Sequence, residues 1–482
     1  MVTVDTPIER ISDYLWEVPK TAREGMRVPA RIFASEQLLN EIHNDKSIEQ
    51  LMNVAMLPGI RGAAIVMPDV HEGYGFPIGG VAATRWPDGV ISPGGIGYDI
   101  NCGVRLLLSD IHHNDLKGRG EALAKLLYVH IPSGVGRGGA INLSNEELDR
   151  VLTLGTEWAL EKGYATLDDL ERIESGGKLS AADPRFVSEH AKRRGHDQLG
   201  TIGSGNHFVE VGYVDEIFET EIASTFGLSL HQVVVLIHTG SRGLGHQVAT
   251  DYLKRMVSVM PLYNIQLPDR ELACAPFNSA EGQEYFKAMA AAANFAWCNR
   301  QLITWEIRQA WKEFFAGGGE ELRLLYDVAH NIAKTEDHII EGKPEKVIVH
   351  RKGATRAFGP GNPEVPECYR PTGQPVVIPG SMGTASYVLA GTTEAMLKSF
   401  GSTCHGAGRR MSRRAAQRAV NAAELEKELA DRDIHVRAGS RRGVCEEAPS
   451  AYKDIDEVIK VVHRSGIARK VARLRPVSVI KG

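Results

Sequence analysis

Val233-Val-Val-Leu-Ile237 runs directly into His238-Thr-Gly-Ser-Arg-Gly243. An apolar, mostly β-branched run of this length predicts a buried strand, and the glycine-flanked polar residues after it predict a turn. The same order recurs along the chain. Ala64-Ile-Val-Met67 leads into Pro68-Asp-Val-His-Glu-Gly-Tyr-Gly75, Val347-Ile-Val349 into His350-Arg-Lys-Gly353, and Val376-Val-Ile378 into Pro379-Gly-Ser-Met-Gly383. Strand ends that converge would place polar residues on a rigid base.

Other stretches read as helices. Ser144 and Glu147 have the spacing of a capping box ahead of a helix over 148–161. A helix is predicted over 246–259, opened by the glycine loop before it, and a long one over 283–315, ending at Gly317-Gly-Gly319. A further helix over 409–430 is basic at its start and acidic later, against the helix dipole. Those arginines either await an anion or form a solvated face. The segment Gly359–Gly373 reads as a surface loop. Strands and helices alternate without a fixed period, which excludes a repeat architecture. The expected fold is α+β: a single intertwined domain over 1–482. Residues 1–60 carry no recognisable motif.

The chain has 482 residues, 43% of them hydrophobic, and a formal net charge of −4. A charge this small argues against general polyanion binding, so any nucleic-acid contact must use a local basic surface. The six cysteines show no C-x-x-C spacing, which favours a reduced, intracellular protein over a disulfide framework. The start, Met1-Val-Thr-Val-Asp-Thr-Pro7, has no basic-then-apolar leader pattern, and no apolar run has the length of a membrane span. A cytoplasmic location is expected.

Five residues stand out as metal ligands: Asp99, Cys102, His207, His238 and His330. Each lies near glycine, asparagine or both. Asp99 and Cys102 share the turn Gly94-Gly-Ile-Gly-Tyr-Asp-Ile-Asn-Cys-Gly103, where a thiolate could bridge two ions and a carboxylate complete one. Thiolate, imidazole and carboxylate together suit a divalent transition metal better than magnesium or calcium. A buried small cysteine and satisfied loop histidines are the bland reading of the same residues, and the chain has 17 histidines. Gly203-Ser-Gly-Asn-His207, Gly240-Ser-Arg-Gly243 and Gly380-Ser-Met-Gly-Thr-Ala-Ser386 could each present backbone N–H groups to an anion. The Walker A and Lys-x-Asp-Gly patterns are absent, so a covalently transferred nucleotide would need another nucleophile. His405, in Gly401-Ser-Thr-Cys-His-Gly406, is a sound candidate, because a neutral imidazole attacks phosphorus well. His71 and His350 are intermediate cases.

Seven stretches together resemble the RtcB family of tRNA-splicing RNA ligases: Pro68–Gly80, Gly94–Gly103, Gly203–Glu210, His238–Gly243, Asp327–Asn331, Pro379–Gly383 and Cys404–Arg409. The likeness runs from about residue 60 to Lys481-Gly482 in the family's order, and it implies an α+β fold with mixed β-sheets flanked by helices around a metal-lined cleft. It implies a GTP- and Mn2+-dependent enzyme that joins RNA 3′-phosphate or 2′,3′-cyclic phosphate ends to 5′-hydroxyl ends in tRNA splicing and RNA repair. It implies that Cys102 bridges two Mn2+ ions, with His207 and His238 completing one site and Asp99 and His330 the other. His405 would carry GMP in a covalent histidine–GMP intermediate, oriented by Asp69, on the way to an RNA-3′-pp-5′-G end. Nucleotide contacts would come from Asn206, His207, Phe208, Val209, Glu210, His330, Asn331, Pro379, Gly380, Ser381, Met382 and Ser386. They would continue through His405, Gly406, Ala407, Gly408, Tyr452 and Lys481. Arg242, Arg351, Arg409 and Arg410 are candidates for RNA phosphate contacts. The partners implied are RNA, such as tRNA halves or broken ends, and GTP; family members often work with a small activating protein, archease. Two rivals use the same residues: a dinuclear phosphoesterase without GTP, and a non-catalytic RNA-binding scaffold.

Overall fold

A computed structural model describes residues 6–43, 45–134, 138–139, 141–315 and 321–482. The chain is α+β, with two large mixed sheets. The first has seven strands in the order Glu9–Ser12, Leu15–Val18, Ala30–Phe33, Ile60–His71, Ile78–Arg85, Lys343–Lys352 and Asn331–Ile340. The second has eight. Seven follow the order Arg323–Ala329, Gly103–His112, Gln232–Thr239, Phe208–Ile217, Arg469–Lys481, Ser386–Ala390 and Pro375–Ile378, and His435–Ala438 pairs in parallel with Arg469–Lys481. All four predicted strands are present, and three extend into their predicted turns, to His71, Thr239 and Lys352.

The strand Gln232–Thr239 is central, hydrogen-bonded to Gly103–His112 on one side and Phe208–Ile217 on the other. Val233, Val235 and Ile237 enter one apolar core while Val234 and Leu236 enter a second. The sheet is covered on both faces, so the run is apolar without alternation. At Ala329–Asn331 the chain leaves the second sheet and begins the first, with His330 at the joint. The two sheets therefore meet at one rim.

The long helix spans Ala280–Phe314, its start capped by Ser279. Its stretch Ala288–Thr304 is buried on every side, so it shows no apolar stripe. The predicted end at Gly317–Gly319 lies outside the described residues. The glycine-loop helix spans Arg242–Val259. Two expectations need correction. The stretch 148–161 belongs to two helices, Asn145–Leu154 and Thr156–Glu161, because Gly155 turns with φ 55° and a Cβ there would lie 2.3 Å from Gly177 O. Ser144 caps the first, but Glu147 turns away to accept from Trp158 and Arg150. The stretch 409–430 likewise divides into Arg413–Ala419 and Ala422–Asp431, each with its own cap, Ser412 and Asn421. No helix among the described residues is long and apolar enough to cross a membrane.

Candidate active site

Four strands of the second sheet reach the common rim. Gly103 pairs with Ala329 and with Thr239, and His238 pairs with both Val104 and Phe208. Cys102, His207, His238 and His330 stand at or next to these strand ends. Their side chains converge. Cys102 Sγ lies 3.3 Å from His207 Nε2 and 3.4 Å from His238 Nε2. His238 Nε2 lies 3.3 Å from His330 Nε2, and His207 Nε2 lies 2.8 Å from Asp99 Oδ2. Two ligand groups result, Cys102–His238–His330 and Asp99–Cys102–His207, joined by the one sulfur. Cys102 Sγ thus contacts His207 and His238 together, while His207 also pairs with Asp99 and His238 with His330.

The donor set fits transition-metal binding. The Nδ1 atoms of buried His238 and His330 have no hydrogen-bond partner, while their Nε2 atoms point at each other and, for His238, at the thiol. Burial, then neighbouring positive charge, holds both imidazoles well below their ordinary range, in the neutral form that ligates. Burial and then Asp99 push the Cys102 thiol well up, so an uncompensated thiolate here is costly and a cation would relieve it. Asp99 is held low: burial opposes ionisation, but His207 outweighs it.

The predicted anion cradle at Gly240-Ser-Arg-Gly243 already serves a carboxylate. Ser241 N donates to Asp99 Oδ1 at 3.0 Å, and a Cβ on Gly240 would lie 2.4 Å from that oxygen. Behind the ligands, the long helix supplies polar clamps that sequence reasoning missed. Asn299 Oδ1 accepts from Gly200 N and Thr201 N, and Asn299 Nδ2 donates to Gly240 O. Arg300 donates to Asn101 O and Thr239 O and pairs with Asp327. In an alanine-rich helix these residues carried no pattern; only Asp327, beside the His330 motif, hinted at them.

His405 follows the short strand Ser402–Cys404, paired with Ala354–Arg356. Its Nδ1 donates to Asp69 Oδ2 at 2.6 Å, and Asp69 is fully buried at the end of Ile60–His71. This close approach needs glycine: a Cβ on Gly408 would sit 2.1 Å from Asp69 O. The His405 and His330 rings lie 4.8 Å apart between centroids. One cavity of about 410 Å³ joins His405 to Asp99, Cys102, His238 and His330.

Most predicted nucleotide residues also line that cavity. Asn206, Phe208, Glu210 and Asn331 do so, with Pro379–Met382, Gly406–Gly408, Tyr452 and Lys481. His207, Val209 and Ser386 do not. Strand alternation sends Val209 into the core between Phe208 and Glu210, and Ser386 Oγ accepts from Gly380 N behind the loop. Burial raises Glu210 to about 8, against the opposing charge of Lys481. Sequence reasoning missed Lys352, Arg413 and Glu447 on the cavity wall. Burial lowers Lys352 to about 7, and its Nζ donates to Phe76 O at 3.0 Å.

The four arginine candidates separate. Arg409 lines the cavity, donating to Glu447 and to Tyr452 Oη. Arg242 is half-buried, with Nε on Thr201 Oγ1, and Arg410 pairs with Glu41 near the surface. Arg351 is a correction: it is fully buried and bidentate on Glu336, also donating to Phe400 O. The anion met by Arg409 and Arg413 is Glu447. His350 is buried, accepting from Ser92 N, and His71 lines the cavity with Nδ1 on Asp69 O.

Fold and cavity together define an α+β protein with a double ligand group centred on one cysteine sulfur, beside a carboxylate-held histidine. The model of the family described as tRNA-splicing ligase RtcB matches residues 50–482. The chain is 55% identical over 478 residues to the tRNA-splicing ligase RtcB of Thermococcus kodakarensis, covering 99% of both chains. It is 53% identical to those of Archaeoglobus fulgidus and Aeropyrum pernix, with at least 98% of each chain covered. The chain belongs to the RtcB family.

Proposed function

We propose that this protein is a GTP- and Mn2+-dependent RNA ligase, joining 3′-phosphate or 2′,3′-cyclic phosphate ends to 5′-hydroxyl ends in tRNA splicing and RNA repair. One observation carries the reading: His405, held by buried Asp69, lines the same cavity as Asp99, Cys102, His238 and His330. Cys102 would serve both ions, with His207 and His238 completing one site and Asp99 and His330 the other. Bound there, two ions supply charge neutralisation for a triphosphate and polarisation of phosphorus.

The chain's own residues then divide the work. Asp69 accepts a hydrogen bond from His405 Nδ1–H, which leaves the Nε2 lone pair as the nucleophile. Nε2 bonds to the α-phosphorus of GTP and pyrophosphate leaves, giving histidine–GMP. An RNA 3′-phosphate takes the GMP from His405, giving RNA-3′-pp-5′-G and a free imidazole. The 5′-hydroxyl attacks the 3′-phosphorus, and GMP leaves as the strand closes. Asn206, Glu210, Asn331, Ser381, Tyr452 and Lys481 would hold the nucleotide from the cavity wall. Ser386 supports it from behind through Gly380.

Incubation with α-labelled GTP and Mn2+ tests this. The expected result is an acid-labile, base-stable label on the protein, lost in His405→Ala. A dinuclear phosphoesterase would release product without any label. A binding scaffold would retain RNA without joining it, and metal would be irrelevant to it. Six free cysteines fit a reducing, cytoplasmic setting. Adding archease to the ligation assay tests whether it accelerates turnover.

A further inference from the structure

The proposed chemistry leaves one part of the cavity wall without a task. Tyr74 and Tyr98 both line the cavity and both are half-buried. Their rings meet edge to face with centroids 5.5 Å apart. Tyr98 also stacks on His246, 4.8 Å between centroids and 23° from parallel, and His246 is exposed on the helix Arg242–Val259. Three rings thus form a continuous ladder from the cavity wall to the outer surface.

The ladder is held firmly. Tyr98 follows Gly97, whose φ of +91° makes the turn, and precedes the ligand Asp99. Tyr74 O accepts from Lys352 Nζ, which donates to Phe76 O as well. A cation stands close by: Arg194 donates to Gln247, the residue after His246. Phosphates and sugars gain little from a ring face, whereas every nucleobase has a π-face that stacks on one. A base inside a duplex has both faces covered, so the ladder suits a base that is unpaired.

We propose that Tyr74, Tyr98 and His246 form a stacking subsite for the unpaired nucleobase of an RNA end. This rests on the RNA-ligase reading above. Because Tyr98 and Asp99 are adjacent in the chain, a base stacked on the ladder sets its terminal phosphate or hydroxyl beside the Asp99–Cys102–His207 group. Stacking reads no base identity, so joining would tolerate any terminal base.

The test uses the full chain with GTP, Mn2+ and three RNA pairs: intact, abasic at the terminal nucleotide of the 3′-phosphate strand, and abasic at that of the 5′-hydroxyl strand. Ligation KM and kcat are measured, with labelling of the protein by GTP alone measured separately. The expected result is a rise in KM of about tenfold or more for one abasic strand. That penalty disappears in Tyr98→Leu and persists in Tyr98→Phe, with labelling as in the wild type. The strand that shows it identifies which end the ladder holds. His246→Leu, at an exposed position, is expected to lose part of the same penalty, which keeps the test decisive if Tyr98→Leu does not fold. An active ligase with no abasic penalty at either end overturns this proposal alone, as does an equal penalty in wild type and Tyr98→Leu. Loss of labelling in Tyr98→Leu with labelling kept in Tyr98→Phe would assign the ring to the nucleotide and overturn it too. A wild-type protein that takes no label and joins no RNA overturns the ligase reading, and this one with it.

Discussion

One carboxylate oxygen of Asp69 is shared by the His405 ring and the backbone beside it: Oδ2 accepts from Nδ1 at 2.6 Å, from His405 N at 3.0 Å and from Gly406 N at 3.3 Å. The imidazole is therefore fixed in both tautomer and direction, with Nε2 free. Asp69→Asn keeps the volume but offers the ring an amide that can favour the other tautomer. The rate of GMP transfer to His405 is expected to fall on the order of 10⁴-fold, as for the equivalent change in a serine-protease triad. A single-turnover labelling assay measures it, and a rate within a few-fold of wild type would remove Asp69 from this role.

Cys102 belongs to both ligand groups. Cys102→Ala is expected to lose both Mn2+ ions, whereas His207→Ala and His330→Ala should each retain the ion of the other group. Elemental analysis of desalted protein gives the ratio. In the wild type, Mn2+ at 100 times its Kd should add about 2.7 kcal/mol to stability. Cys102→Ala should show no such gain in a melting curve.

Glu210 is buried and raised to about 8 from an ordinary 4.5. The folded chain holds a proton that the unfolded chain releases. The stability linked to Glu210 is thus fully present below about 4.5 and lost as pH rises through 8. Glu210→Gln should flatten the fall in stability across this window. Denaturant midpoints of both proteins at several pH values decide it, and parallel curves would contradict the assignment.

Arg351 and Glu336 form a buried bidentate pair. Arg351→Met would leave Glu336 without its main partner and should cost about 3–5 kcal/mol of stability. Chemical unfolding measures this, while the salt dependence of RNA binding by the folded fraction should not change. A marginal stability loss with a reduced salt slope would instead return Arg351 to the RNA.

Much of this site could be read from local pattern. The run Val233–Ile237 specified a doubly covered strand because five apolar residues have no polar face to turn to water. Asp99, Cys102, His207, His238 and His330 were visible because glycine and asparagine surround them. The helix break at Gly155 was harder to see, since it depends on Gly177 O approaching from another segment. Arg351 read as an RNA phosphate contact because its partner Glu336 comes within reach only through the strand pairing of 331–340 with 343–352. Asn299 and Arg300 lay in a helix whose composition suggests packing alone.

By itself the sequence determined which residues could ligate a metal or attack a phosphate, and that strands would carry them, because side-chain chemistry and strand periodicity are local properties. The tertiary structure decided which ligand faces which. It set His207 against Asp99, His238 against His330, and Asp69 against a histidine 336 residues away. Those pairings follow from the register of long-range strands and from the place where two sheets meet, and neither is written in any short stretch of chain.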